Sequence, residues 1–143
     1  MSYAVLVDTS AFYALQSTGD ASVHALVRAE AERFDADHAV LVTTDYVLDE
    51  TYTLLRSALG HRAAVRFGRE IRRGGIEVVQ VDPDIQEEAW RIFERYSDKD
   101  FSFTDCTSFV VMKHAELRVA LTLDRHFRQF GFEVAPESAP TRR

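Results

Sequence analysis

Short, unbroken apolar runs alternate with longer stretches in which apolar residues recur every three to four positions. Tyr3–Val7 reads as a strand buried on both faces, and Val119–Leu123 is similar; Ala39–Val42 and Ile76–Val81 are further strands, and Phe132-Glu133-Val134 adds an edge strand. The stretches between them predict helices. Ser10 caps a short helix over Ala11–Gln16, Gly19 breaks it, and Asp20 caps a long one that turns Val23, Leu26, Val27, Ala31 and Phe34 inward. Thr44 caps the next, which runs to Ala58. After Gly60 a helix faces the core with Ala64, Phe67 and Ile71 and carries Arg62, Arg66, Arg69 and Arg73 along another face. Gly74-Gly75 ends it. Asp82-Pro83 starts a helix with Ile85, Ala89, Ile92, Phe93 and Tyr96 inward. Thr104–Leu117 is another, with Phe109, Met112 and Ala115 on its apolar side, and Asp124 caps a last short helix, Arg125–Phe130, ending at Gly131.

Strands separated by helices require right-handed crossovers, and so predict an α/β fold: a mainly parallel sheet of four to five strands with helices on both faces. Ligands of such sheets bind outside the carboxyl ends of the strands. A chain of 143 residues suits one domain, expected over 1–135, with a frayed tail at 136–143 that holds two prolines and three charges. Its 46% apolar and 28% charged residues are ordinary for a globular protein. No apolar run approaches the ~20 residues of a membrane span, and no basic segment precedes the first apolar stretch as in a signal peptide. The lone Cys106 has no internal disulfide partner, which fits a reducing, cytoplasmic setting.

Four acids interrupt this pattern. Asp8 ends the first apolar run and Asp124 the fourth; Asp105 opens a helical stretch; Glu50 shares a helix face with Tyr46, Val47 and Leu54. If they converge, two unit charges ~4 Å apart cost ~4 kcal/mol at an effective dielectric of ~20. Protonation or a hard divalent cation relieves that, and the cation is the better reading. Taken singly, Asp8, Asp105 and Asp124 also suit helix starts, and a buried Glu50 could pair with an arginine. Thr9 and Ser10 are candidates for orienting substrate or metal-bound water, and Thr104 for a bond to Asp8, although capping explains each. His24, His38 and His61 lack zinc spacing; His114 and His126 could approach the acidic site, although a surface or core place is the commoner one for histidine. Cys106 reads as a small buried residue, because the neighbouring acid raises a thiol's pKa. The net charge of −6 argues against simple adhesion to nucleic acid but not against a metal-neutralised nuclease site. The positive charge is mostly arginine, 15 against 2 lysines, and the Arg62, Arg66, Arg69, Arg73 stripe offers phosphate or carboxylate contacts if it is more than a solvated face.

The ordered set V-D-T-S at 7–10, T-T-D-Y-V-L-D-E-T at 43–51, S-F-T-D-C at 102–106 and L-T-L-D-R-H-F at 121–127 resembles the PIN-domain ribonucleases, in spacing those of the VapC type from toxin–antitoxin pairs. The resemblance spans roughly residues 3 to 135. It implies a PIN-like three-layer fold and an endoribonuclease dependent on Mg²⁺ or Mn²⁺. Asp8 and Asp105 would be the main ligands, Glu50 and Asp124 would complete the pocket, and the products would carry a 5′-phosphate and a 3′-hydroxyl. It further implies a small antitoxin partner and a homodimer. Cys106 stands where a small residue such as alanine is commoner. A PIN nuclease of RNA maturation or decay, or a silent module that only binds RNA or protein, would share the fold. A receiver domain needs an acid pair after the first strand and a lysine near the last, and a haloacid-type phosphatase needs two aspartates flanking one residue. Asp8-Thr9-Ser10, Lys99 and Lys113 satisfy neither.

Overall fold

The computed structural model describes residues 3–137, so the expected tail lies mostly outside the described residues. Five strands, β1 (Ala4–Val7), β2 (Val40–Thr44), β3 (Ile76–Val79), β4 (Val119–Leu121) and β5 (Glu133–Ala135), form one sheet in the order β3-β2-β1-β4-β5. Every pairing is parallel, including the short edge strand. Seven helices cover it: α1 (Thr9–Gln16), α2 (Ala21–Ala36), α3 (Asp45–Leu59), α4 (His61–Arg72), α5 (Pro83–Arg95), α6 (Phe103–His114) and α7 (His126–Phe130). None is long and apolar enough to cross a membrane.

The unbroken apolar strands have their physical cause in this layering. Val5 and Val7 pack into one core with Phe12, Val27, Phe34, Val47, Leu55 and Phe67 of α1–α4. Leu6, between them, packs into a second core with Ile85, Phe109, Met112 and Phe127 of α5–α7. Helix α6 is buried from Asp105 through Met112, the polar Asp105, Thr107 and Ser108 included; Ala115, expected inward, is exposed. The strand order reverses its direction of winding at β1, since β2 lies on one side of it and β4 on the other. The gap between the carboxyl ends of β1 and β4 is therefore the topological switch point, where such sheets open a crevice.

Three helix starts follow the sequence: the side chains of Asp20, Thr44 and Asp82 accept from the backbone N–H of Val23, Val47 and Ile85 at 3.1, 3.0 and 2.8 Å. Three others differ. Helix α1 begins at Thr9, and Asp8 holds its cap position without a side-chain cap bond, so Ser10 is not the cap. Ser102, not Thr104, caps α6, and α7 is capped at Arg125 rather than Asp124. Ser10 and Asp124 stand instead at the switch point.

Candidate active site

Asp8 leaves the end of β1 with its backbone N–H donating to the carbonyl of Leu121 at 3.1 Å, which ties it to the end of β4. Its side chain is buried. Oδ2 accepts from Thr122 Oγ1 at 3.0 Å and from Ser10 Oγ at 3.3 Å, and Ser10 Oγ in turn accepts from the Leu123 backbone N–H at 2.9 Å. Asp105 is the third residue of α6 and forms a reciprocal capping box: its N–H donates to Ser102 Oγ and its Oδ2 accepts from the Ser102 N–H, both at 3.0 Å. Asp124, in the loop after β4, donates its N–H to Thr122 Oγ1 at 2.9 Å and accepts at Oδ1 from the His126 N–H at 2.9 Å.

Asp8, Asp105 and Asp124 thus each have one oxygen fixed by protein donors and one without a protein hydrogen bond among the described residues. The unbonded oxygens of Asp8 and Asp105 are not orphaned in the core, where among the described residues Ser108 Oγ is the buried side-chain atom that lacks a partner; each keeps some contact with solvent. No lysine or arginine among the described residues pairs with Asp8, Glu50, Asp105 or Asp124. The electrostatics follow. Burial, then repulsion from Asp105 and Asp124, push the Asp8 carboxyl up to about 7 against the pull of the Thr122 hydroxyl. Burial also raises Asp105, opposed by the Ser102 backbone bond. The Cys106 thiol, fully buried and beside Asp105, is pushed up to about 12, so it is inert as a nucleophile.

Two expectations are corrected here. Glu50 is exposed rather than inward: the buried stripe of α3 is Val47, Leu48, Thr51 and Leu55, while Leu54 is 39% exposed. The helix is turned because Thr51 enters the core. Its hydroxyl bonds the Val47 carbonyl at 2.7 Å and Thr9 Oγ1 at 3.1 Å. Glu50 still reaches the site electrically, since its charge adds to the repulsion felt by Asp8. Thr9, a candidate for orienting substrate, faces the same helix interface and donates to the Val47 carbonyl at 3.3 Å. Thr104 makes no bond to Asp8, and its carbonyl accepts from Thr107. Of the weak candidates, Ser10 alone touches the carboxylates.

The sequence reading misses Thr122 and gives His126 too little weight. Thr122 holds Asp8 and Asp124 together. His126 lies with Nδ1 2.8 Å from Asp105 Oδ2 and 3.0 Å from Asp124 Oδ1, and the donor atoms that converge within 4.8 Å of one another belong to Asp105, Asp124 and His126. Its position two residues after Asp124 was the available signal. A crevice of ≈ 600 Å³ elsewhere, beside Tyr3, Phe34 and Val119, gathers no such set.

The donor chemistry fits a divalent cation: partly desolvated carboxylate oxygens, unmatched by lysine or arginine, at a strand-end crevice. Away from this site, Arg62, Arg66, Arg69 and Arg73 line a groove of ≈ 500 Å³ on α4 with His61, Val65 and Glu70, and Arg73 is ion-paired with Glu70.

The PIN domain family model matches residues 5–133. The 23S rRNA-specific endonuclease VapC20 of Mycobacterium tuberculosis is 37% identical over 134 residues, which cover 93% of this chain and 99% of that protein. Ribonuclease VapC26 of the same organism is 31% identical over 86% of this chain and 89% of its own, and a VapC ribonuclease of Archaeoglobus fulgidus is 28% identical over 87% and 79%. The crystal structure of VapC20, described as a sarcin–ricin loop cleaving toxin, superposes with a TM-score of 0.81 at 35% identity over 95% of this chain and 99% of that one. With the family match over residues 5–133 and relatives that agree with nearly the whole chain in sequence and in fold, this chain belongs to the PIN-domain family and groups there with the VapC ribonucleases.

Proposed function

We propose that the protein is a divalent-metal-dependent endoribonuclease and the toxin of a toxin–antitoxin pair, acting in the cytoplasm. The observation that carries this is the crevice between β1 and β4, where Asp8, Asp105 and Asp124 meet without a lysine or arginine to neutralise them. Asp8 and Asp105 hold the metal through their carboxylates, Asp124 adds a third, and Glu50 closes the pocket from its solvent side. Ser10 and Thr122 keep Asp8 in place, and Ser102 does the same for Asp105. The bound cation, Mg²⁺ or Mn²⁺, lowers the pKa of a water and offsets charge on the scissile phosphate. Release of the 3′-oxygen leaves a 5′-phosphate on the downstream fragment.

The relative that cleaves 23S rRNA makes ribosomal RNA the first substrate to try. Incubation of ribosomes with the protein and Mn²⁺ or Mg²⁺, followed by mapping of new 5′ ends, should give discrete cuts that disappear with EDTA. Cuts undiminished by EDTA would refute metal dependence. Native mass spectrometry of the protein expressed with its neighbouring small reading frame separates a toxin from a housekeeping nuclease, because only the toxin carries a tight small partner.

Arg56, Arg62, Arg66, Arg69, Arg72 and Arg73 face one acid, Glu70, between residues 53 and 75, although the whole chain is acidic. We infer that this groove holds RNA phosphates. Replacing Arg62, Arg66 and Arg69 with Gln should weaken RNA binding and reduce its log–log salt slope by up to about one per lost contact, with metal affinity unchanged. An unchanged slope would leave the stripe as a solvated face.

A homodimer is supported by the apolar surface of α5. Trp90 and Phe93 are 49% and 42% exposed, and Phe93 meets Phe103 of α6, which meets Tyr46 of α3, at ring separations of 5.9 and 6.3 Å. Light scattering at micromolar concentration should report a dimer that Trp90→Glu/Phe93→Glu converts to monomer. A wild-type monomer under those conditions excludes it.

A further inference from the structure

We propose that His126 is itself a ligand of the metal, so that its imidazole joins the carboxylates of Asp8, Asp105 and Asp124 in a mixed nitrogen–oxygen site that selects a first-row transition ion such as Mn²⁺ over Mg²⁺. The inference rests on the ribonuclease reading only for the presence of a metal in this crevice. Its grounds are geometric. One donor atom from each of Asp105, Asp124 and His126 lies within 4.8 Å of the others, so that converging set contains the imidazole. Neighbouring ligands on an octahedral ion with bonds of ~2.1 Å stand ~3 Å apart. The Nδ1 of His126 stands 2.8 and 3.0 Å from the two carboxylate oxygens.

The ring is also held for the purpose. His126 is the first residue of α7, its backbone N–H is fixed on Asp124 Oδ1, and its ring lies edge-on to Phe101 with centroids 5.7 Å apart, in a side chain 18% exposed. Its other nitrogen, Nε2, has no hydrogen-bond partner among the described residues, so the ring can carry its proton there while Nδ1 presents a lone pair. The competing account makes His126 a hydrogen-bond donor to two carboxylates and nothing more. The two accounts differ in metal choice. Mg²⁺ takes oxygen donors and keeps its water, whereas an imidazole raises affinity for transition ions.

Pulsed electron paramagnetic resonance of the Mn²⁺-loaded protein reads directly whether nitrogen is bound. Nitrogen modulation from a coordinated imidazole is expected in the wild type and in His114→Ala, whose histidine pairs with Glu88 on the surface. It should vanish in His126→Gln and His126→Ala. Calorimetric Mn²⁺ affinity should fall by about tenfold or more in both variants, with Mg²⁺ affinity changed far less. Wild-type protein that binds Mn²⁺ without nitrogen modulation, or variants that keep the wild-type ratio of Mn²⁺ to Mg²⁺ affinity, would overturn the proposal. Should a variant fail to fold, the wild-type spectrum alone decides. Nitrogen modulation in a protein that cuts no RNA refutes the ribonuclease reading and leaves the ligand standing; cleavage without modulation does the reverse.

Discussion

Replacement of Asp8 and Asp105 by alanine is expected to lower metal-dependent RNA cleavage on the order of a thousandfold or more while the fold survives. Both carboxylates are buried, yet each keeps an oxygen free of protein donors at the crevice, an arrangement suited to an ion and unsuited to a purely structural role. The two variants should not multiply. Residues that hold one metal act as a unit, so either single change should remove most of the activity and the double variant little more. Asp105→Ala also removes half of the capping box with Ser102, a loss of about 1 kcal/mol that partly offsets relief of repulsion. Asp8→Ala carries no such loss, because Asp8 caps nothing through its side chain. Rates should be compared at saturating Mn²⁺ with circular dichroism as the folding control. Full activity in the double variant would exclude these carboxylates from catalysis.

Without metal, Asp8→Asn should stabilise the protein at neutral pH and remove much of its pH dependence. The folded carboxyl sits at about 7 against an ordinary value of 3.8, raised first by burial and then by its acidic neighbours. Between those values the unfolded chain has lost the proton and the folded one retains it, so folding grows weaker as pH rises through that window and levels off above it. The whole effect is at most about 4 kcal/mol, a large share of the 5–15 kcal/mol that holds an ordinary domain together. Urea unfolding in EDTA at several pH values should show wild-type stability falling toward neutrality relative to the Asn variant. Saturating Mn²⁺ should reverse the order, because a ligand that binds only the folded state adds stability. Parallel curves for the two proteins would mean that Asp8 is not the strained group.

The layered fold was readable from the chain because its causes are local. Strands buried on both faces are apolar almost throughout, as Tyr3–Val7 is and as Val119–Leu123 is but for Thr122, and helices covering a sheet must repeat their apolar residues near 3.6. Asp20, Thr44 and Asp82 cap their helices through contacts three residues away, so they too could be placed. Asp8 and Asp124 were found as charges at the ends of apolar runs. Periodicity failed where a polar side chain was satisfied by a partner distant in sequence. Thr51 enters the core through a bond to Thr9, 42 positions away, and that rotates α3 and puts Glu50 at the solvent edge. Thr122 reaches Asp8 across 114 positions, and His126 reaches Asp105 across 21. A threonine or histidine reads the same in sequence whether it is solvated or holds a carboxylate. Its role depends on which groups the parallel pairing of β1 with β4 brings to one edge of the sheet, and that pairing arises from packing of the whole domain.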